Sequence, residues 1–195
     1  MFLYGFLFFS LLMEQVVFGI SGEPGAGKDT VKEYLVEQYG AESLGFSLIL
    51  KDILNRLSLP LERANYASLG EALRNSFGEN ILATVLSLDA SRMLKSIVVI
   101  DGIRKFGELE ELRKLKNFRF LFVETDMHVR YERVKARGIK ADDKEKTFEE
   151  FVRDREHAAD REVRNLKSEA DAVIENNGTL GELHRHVDEV VSGLS

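Results

Sequence analysis

The chain has 195 residues, 44% of them hydrophobic, a length and make-up that suit one globular domain with a substantial core and leave no room for a second. Its net charge of −6 and pI near 5.4 exclude a broad nucleic-acid-binding surface, which needs an excess of lysine and arginine, but allow a small anion in a local basic pocket. With no cysteine, disulfides, thiolate zinc sites and a cysteine nucleophile are excluded as well.

Residues 1–13 form an uncharged run rich in Phe and Leu. A spanning helix needs about 20 apolar residues, and Glu14 and Gln15 interrupt this run first. It also lacks the basic start and small-residue cleavage site of a secretory signal. Residues 1–12 are therefore expected to be an extension of no catalytic importance, with the folded domain over 13–195, no membrane span and a cytoplasmic location. A weak membrane-surface anchor is the alternative.

The apolar run Val16-Val17-Phe18-Gly19-Ile20 predicts a strand, and an amphipathic segment starting at Lys28 predicts a helix. Between them lies Gly22-Glu23-Pro24-Gly25-Ala26-Gly27-Lys28-Asp29-Thr30. The spacing Gly22, Gly27, Lys28 fits a P-loop, whose backbone N–H groups surround a phosphate while the lysine reaches the β and γ oxygens. Gly25 and Gly27 are expected at positive φ, where a Cβ would block the close approach. Asp29 stands where a Ser or Thr would touch Mg²⁺, and Thr30 follows one place later, so both are metal candidates. The form Gly-x-Pro-Gly-x-Gly-Lys-x-Thr resembles the adenylate-kinase-like nucleoside monophosphate kinases. Its Gly-Lys-Asp-Thr version looks most like the deoxynucleoside monophosphate kinase and dephospho-CoA-kinase-like branches. The resemblance implies ATP as phosphate donor, held by Gly22, Gly25, Ala26, Gly27, Lys28, Asp29 and Thr30, and Mg²⁺ as its companion.

Val31, Tyr34, Leu35 and Tyr39 recur at helical spacing, with Lys32, Glu33 and Glu37 on the other face and Gly40 as the stop. Leu44-Gly45-Phe46-Ser47 reads as a short strand, followed by a helix through Leu50, Ile53, Leu54 and Leu57 that ends near Pro60. Phe46-Ser47-x-x-Leu50-Lys51 resembles the acceptor side of deoxynucleoside monophosphate kinases, which implies acceptor contacts for Phe46 and Lys51. Two helical patterns divided around Phe77-Gly78 follow, the first holding Leu69-Gly70-x-x-Leu73-Arg74. In the related kinases this region covers the acceptor. It implies an acceptor-binding insert at about 48–95, with Arg74 gripping the acceptor phosphate through its planar guanidinium; an ordinary surface arginine is the alternative.

Ile97-Val98-Val99-Ile100 reads as a strand buried on both faces of a parallel sheet. It ends in Asp101-Gly102-Ile103-Arg104, where ligands collect and a carboxylate can hold the water shell of Mg²⁺. The segment resembles the Asp-Gly-x-x-Arg of adenylate kinases, shortened by one residue, and matches Asp-Gly-Ile-Arg of dephospho-CoA-kinase-like proteins more closely. This implies a metal role for Asp101 and charge stabilisation or acceptor contact for Arg104, against a strand-end turn with a salt-bridging arginine.

A helix with Leu109, Leu112 and Leu115 inward leads to a strand over Phe118 to Val123. Arg130, Arg133 and Arg137 then share one helix face; Asp126 can pair with Arg130, leaving Arg133 and Arg137 to be answered by an anion or by solvent. The resemblance implies a lid at about 133–155 whose arginines close over ATP and neutralise charge on the transferring phosphoryl group. Gly138 to Lys146 suits a polar lid tip. Thr147-x-x-Glu150 reads as a capping box restarting a helix through Phe151, Val152 and Arg155, with Arg153 and Arg155 as further lid-face candidates. Ala172-Val173-Ile174 predicts the last strand, and Thr179-x-x-Glu182 caps a closing helix with Leu183, Val187, Val190 and Leu194 inward. Ala-Asp-x-x-Ile-x-Asn-x-Gly-Thr-Leu resembles dephospho-CoA-kinase-like proteins, where the loop passes the adenine, which implies nucleotide contact at Gly178. His184 and His186 do not share a face and read as surface histidines.

The expected fold is α/β: a P-loop NTPase three-layer α/β/α sandwich with a five-stranded parallel sheet plus helical lid and acceptor-cover inserts. The expected function is an ATP-dependent nucleotide kinase acting on a nucleoside or deoxynucleoside monophosphate, with Lys28, Asp101, Arg104, Arg133 and Arg137 carrying the chemistry. Dephospho-CoA kinase is the alternative enzyme, and an ATP-binding regulatory protein without an acceptor is the alternative of another class. The small-molecule acceptor is the partner expected, and the protein is read as a monomer or homodimer.

Overall fold

The computed structural model describes residues 15–138, 147–154 and 158–194. Expectations for the extension 1–12, the domain start at Met13, the lid tip at 139–146 and Arg155 lie outside them. The first apolar run forms β1 (Val16–Ser21), and α1 (Lys28–Tyr39) follows the glycine-rich loop. Then come β2 (Glu42–Gly45), α2 (Phe46–Arg56), α3 (Arg63–Phe77), α4 (Ile81–Arg92), β3 (Ile97–Asp101) and α5 (Phe106–Leu112). The chain closes with β4 (Phe118–Glu124), α6 (Met127–Arg137), α7 (Phe148–Asp154), α8 (Ala158–Asn165), a 3-10 turn (Leu166–Glu169), β5 (Ala172–Glu175) and α9 (Leu180–Leu194).

The strands form one five-stranded sheet in the order β2-β3-β1-β4-β5, and every pairing is parallel. Because β1 lies between β3 and β4, the glycine-rich loop springs from the middle of the sheet. Ile20 pairs with Asp101 and Ser21 with Phe122, so the ends of β1, β3 and β4 open on one crevice at the carboxyl edge.

Successive side chains of a strand point to opposite faces, and here both faces are buried. Val17, Val98, Ile100, Phe118, Phe120 and Phe122 meet α4, α5 and α8 through Leu86, Leu109, Leu112 and Val163. Phe18, Ile20, Val99, Leu121, Val123 and Ile174 meet α1 and α9 through Val31, Leu35, Leu183, Val187 and Val191. The result is the expected α/β/α sandwich. Gly19 has a packing reason: a Cβ there would stand 2.5 Å from Phe118 Cζ and 2.6 Å from Ile103 Cδ1.

Local signals act as read from the sequence. Gly40 ends α1 at φ 64, its N–H bonded to Val36 O. In both capping boxes the Glu carboxylate accepts the threonine N–H, at 2.8 Å for Thr147 and Glu150 and 2.7 Å for Thr179 and Glu182. The strand read over Leu44 to Ser47 runs instead over Glu42–Gly45, and both Phe46 and Ser47 lie in α2. Phe46, Ile49 and Leu50 recur at helical spacing, and Phe46 and Ile49 pack on the core, so the chain turns helical at once after Gly45. No helix among the described residues is long and apolar enough to cross a membrane.

Candidate functional site

Gly25 and Gly27 adopt φ 80 and φ 95, and Gly22 φ 152. The space around them is taken. A Cβ on Gly22 would collide with Val123 O, one on Gly25 would stand 2.7 Å from Arg130 O, and one on Gly27 would collide with the Asn176 amide. Gly27 then starts α1 without a side-chain cap, which leaves the first-turn N–H groups, where Asp29 and Thr30 sit, facing the crevice for an anion.

The loop is fastened from below. The Arg130 guanidinium, 2% exposed, pairs with Glu23 at 3.1 Å. It also donates through Nε to Thr125 O at 3.0 Å and through Nη1 to Pro24 O at 3.4 Å. Thr125 Oγ1 and Asn176 Nδ2 both donate to Ala26 O, at 2.9 and 2.8 Å. This corrects the expected Asp126–Arg130 pair. Arg130 points inward from α6 to Glu23, while exposed Asp126 starts the helix with its N–H bonded to Asn177 Oδ1 at 2.7 Å.

Lys28 Nζ donates to Gly22 O at 2.7 Å and Glu23 O at 3.2 Å. Burial pushes its ammonium below the usual lysine range; the Asp101 carboxylate opposes this, and the charges of Arg104 and Arg137 add to it. Both arginines are exposed. Arg133 donates through Nη2 to Asn176 Oδ1 at 3.4 Å, so it is not left to solvent. Its Nη1 is buried without a partner and lies 3.9 Å from the place a Cβ on Gly27 would take.

Asp101 is held by Lys32, whose Nζ lies 3.2 Å from Asp101 Oδ2 and 3.1 Å from Asp29 Oδ1. Burial lowers the Lys32 pKa, but the two carboxylates outweigh it and raise the net value. Asp101 Oδ1 is buried and unpartnered, which fits a carboxylate facing the water shell of Mg²⁺. Asp29, mostly exposed and paired, and half-buried Thr30 fit less well. Among the described residues no three His, Asp or Glu converge on one point.

Across the crevice, Arg74 Nη2 lies 3.7 Å from Glu108 Oε1, and Arg74 Nε is buried without a partner. Glu108 also accepts the N–H groups of Arg104 and Lys105 at 3.0 and 3.3 Å, so it ties α3 to the loop after Asp101. Burial pushes its pKa up, against those hydrogen bonds and the Arg74 charge. Phe46 lies 3.9 Å from a Cβ built on Gly102, so it borders the same loop. Lys51 is exposed on α2 and bonds none of these groups. Gly178 sits in the turn after β5, where the Glu182 carboxylate fills the space of a Cβ.

Sequence reasoning missed Lys32, Glu23, Thr125, Asn176 and Glu108. Asn176 stands inside the Ala-Asp-x-x-Ile-x-Asn-x-Gly-Thr-Leu motif, and Glu23 inside the loop itself. Lys32 lies at i+4 from Lys28, the one spacing that pointed toward the same crevice.

Residues 19–154 match the AAA domain family. A UPF0200 protein of Thermococcus kodakarensis is 32% identical over 189 residues, covering 90% of this chain and 98% of its own. Another, from Saccharolobus islandicus, is 27% identical over 173 residues, covering 88% and 89%. Among solved structures, a Thermus thermophilus protein aligns at 25% identity with a TM-score of 0.63, over 93% of this chain and 99% of that one. A shikimate kinase from Bacteroides thetaiotaomicron aligns at 13% and 0.62, over 92% and 98%. A gluconokinase from Sinorhizobium meliloti aligns at 15% and 0.56, over 93% and 96%. At such identities the two kinases show the fold alone, whereas the match to the AAA domain and the 32% relative show that the chain belongs to the AAA domain family and, within it, with the UPF0200 proteins.

Proposed function

We propose that the protein is an ATP- and Mg²⁺-dependent phosphotransferase that passes the γ-phosphoryl group to a nucleotide-like small molecule, a nucleoside or deoxynucleoside monophosphate. The observation that carries this reading is Arg133 Nη1, a buried cationic donor without a partner beside the phosphate-cradling Gly27. Lys28 and the amides of Gly22, Gly25, Ala26, Gly27, Asp29 and Thr30 hold the β and γ phosphates, with Gly178 at the adenine. Arg133, Arg137 and Arg104 take up charge that grows in the transition state. Asp101 would hold the water shell of Mg²⁺, with Asp29 or Thr30 beside it, and the ion would supply neutralisation of phosphate charge. Arg74 holds the acceptor anion, with Phe46, Lys51 and Arg104 around it. The insert at about 48–95 covers the acceptor, and α6, which carries Arg133 and Arg137, lies on the donor side. Such a transfer rests on position and charge and needs no general base.

The test is ADP formation against nucleoside and deoxynucleoside monophosphates, dephospho-CoA, shikimate and gluconate. Turnover that depends on a nucleoside or deoxynucleoside monophosphate is expected. Dependence on dephospho-CoA would move the assignment to that kinase. Nucleotide-dependent stabilisation with no acceptor dependence would overturn the kinase reading in favour of an ATP-binding regulatory protein.

A further inference from the structure

The first two turns of α1 carry Lys28 and Lys32 at i and i+4, a like-charge pair that is unfavourable unless anions answer it. One carboxylate lies between their interests. Of the charges around Lys28, that of Asp101 acts most strongly, yet Lys28 Nζ donates to Gly22 O and Glu23 O. Asp101 Oδ2 is instead taken by Lys32 at 3.2 Å. The same ammonium answers Asp29 at 3.1 Å, the acid that replaces a hydroxyl in the loop. The two ion pairs differ in weight. Asp29 has a side chain 63% exposed, where an i, i+3 pair contributes little, whereas Asp101 is 21% exposed and stands at the crevice.

We infer that Lys32 is a positioning residue for the phosphate site: it claims Asp101 Oδ2, which leaves Lys28 free for the nucleotide and leaves Asp101 Oδ1 turned to the metal's water shell. This rests on the proposed nucleotide site. Without Lys32, the next ammonium along the helix is Lys28. It would swing from the loop carbonyls to Asp101 and no longer meet a phosphate. Lys32 thus acts through Asp101 and Lys28 and touches no substrate.

The experiment measures binding of the non-hydrolysable analogue AMP-PNP with Mg²⁺ by calorimetry on the full chain, with thermal unfolding in parallel. Lys32→Met should weaken binding by about tenfold, the effect of one charge-assisted contact. Lys32→Arg, which can still bridge both carboxylates, should restore it. In EDTA, where the metal role of Asp101 is not read, Lys32→Met combined with Asp101→Asn should bind AMP-PNP more tightly than Lys32→Met, because the carboxylate that captures Lys28 is gone. A purely structural lysine would show no such recovery. Lys32→Met binding like the wild type, or the double variant in EDTA binding no better than Lys32→Met, overturns the inference while leaving the nucleotide site standing. Failure of the wild type to bind any nucleoside triphosphate overturns both.

Discussion

The two sides of the crevice are held in different ways. On the donor side, the loop from Glu23 to Gly27 is fixed by a buried guanidinium, a threonine hydroxyl and an asparagine amide from three later segments, at 2.8 to 3.4 Å. On the acceptor side, Arg74 meets Glu108 at 3.7 Å and keeps a buried Nε unpartnered, while Leu57, Leu59, Leu61 and Phe77 of the same region are exposed. A donor site built in advance binds with little rearrangement, whereas an acceptor side of loose contacts is completed by its ligand.

The sharpest way to break that contrast is Arg130→Met. It removes the cation from a buried network, and it should cost about 3–5 kcal/mol of stability, or roughly 10 °C in melting temperature for a domain of this size. A loss below about 1 kcal/mol would mean that the loop is held by something else. Lys28→Ala comes next. Turnover should fall about 10²–10³-fold, as when one donor to developing charge is deleted, with the melting temperature almost unchanged because Lys28 Nζ donates only to two carbonyls of its own loop. Unchanged turnover would remove the donor site from this crevice.

Arg74→Ala tests the other side. It should raise the Michaelis constant for the acceptor by about 2 kcal/mol, some 30-fold, and leave that for ATP nearly alone. Two-substrate kinetics that weaken both substrates equally would misplace the acceptor. The same variant has a pH signature. Burial raises the Glu108 pKa above its ordinary 4.5 and Arg74 counters that rise. A raised carboxyl contributes stability that is full below its unfolded pKa and is lost as pH climbs through the folded value. Removing Arg74 deepens that loss, so the stability gap between wild type and variant should be wider at neutral pH than near pH 4.5.

How much of this was legible follows from what each signal measures. The run Ile97 to Ile100 announced a doubly buried parallel strand, and Asp101 at its end announced the crevice, because β-branched burial and strand-end geometry are local properties. The glycine-rich loop was equally local. Arg130 was not: helical spacing gave the stripe of Arg130, Arg133 and Arg137, but not that Arg130 turns under a loop 106 residues away. Lys32 was read as solvent-facing because hydrophobic periodicity separates core from water and is blind to which polar partner waits across a crevice. Asn176 is a buried polar residue whose partners come from other segments, and composition carries no trace of them; Glu108 accepts the N–H groups of Arg104 and Lys105 at the start of its own helix, but its approach to Arg74 joins two segments that no local pattern links.

The smallest effect expected concerns how α1, the helix that carries Lys28, is anchored away from the chemistry. Tyr34 and Tyr39 both donate to Asp188 Oδ1 on α9, at 3.0 and 2.6 Å, and Tyr34 stacks on His184 with centroids 3.8 Å apart. The hydrogen bond to Asp188, then burial, then the charge of Asp188 push the Tyr39 hydroxyl from 10.0 up to about 12. A phenol whose folded pKa is raised contributes stability that is whole below pH 10 and fades as pH climbs from there toward 12. Tyr39→Phe should cost about 0.5–1 kcal/mol at neutral pH, the low end for a hydrogen bond because the group is half-open to water. Its Michaelis constants should match the wild type, since Tyr34 still binds Asp188 and Lys28 is not touched. An absorbance titration should show a tyrosine ionising toward pH 12 that the variant lacks, beside Tyr34, whose hydroxyl is also pushed up by burial and by Asp188. If the alkaline branch of the stability curve is the same in both proteins, the tether to Asp188 does not anchor α1, and the rigidity of the donor side comes from the loop contacts of Arg130, Thr125 and Asn176 alone.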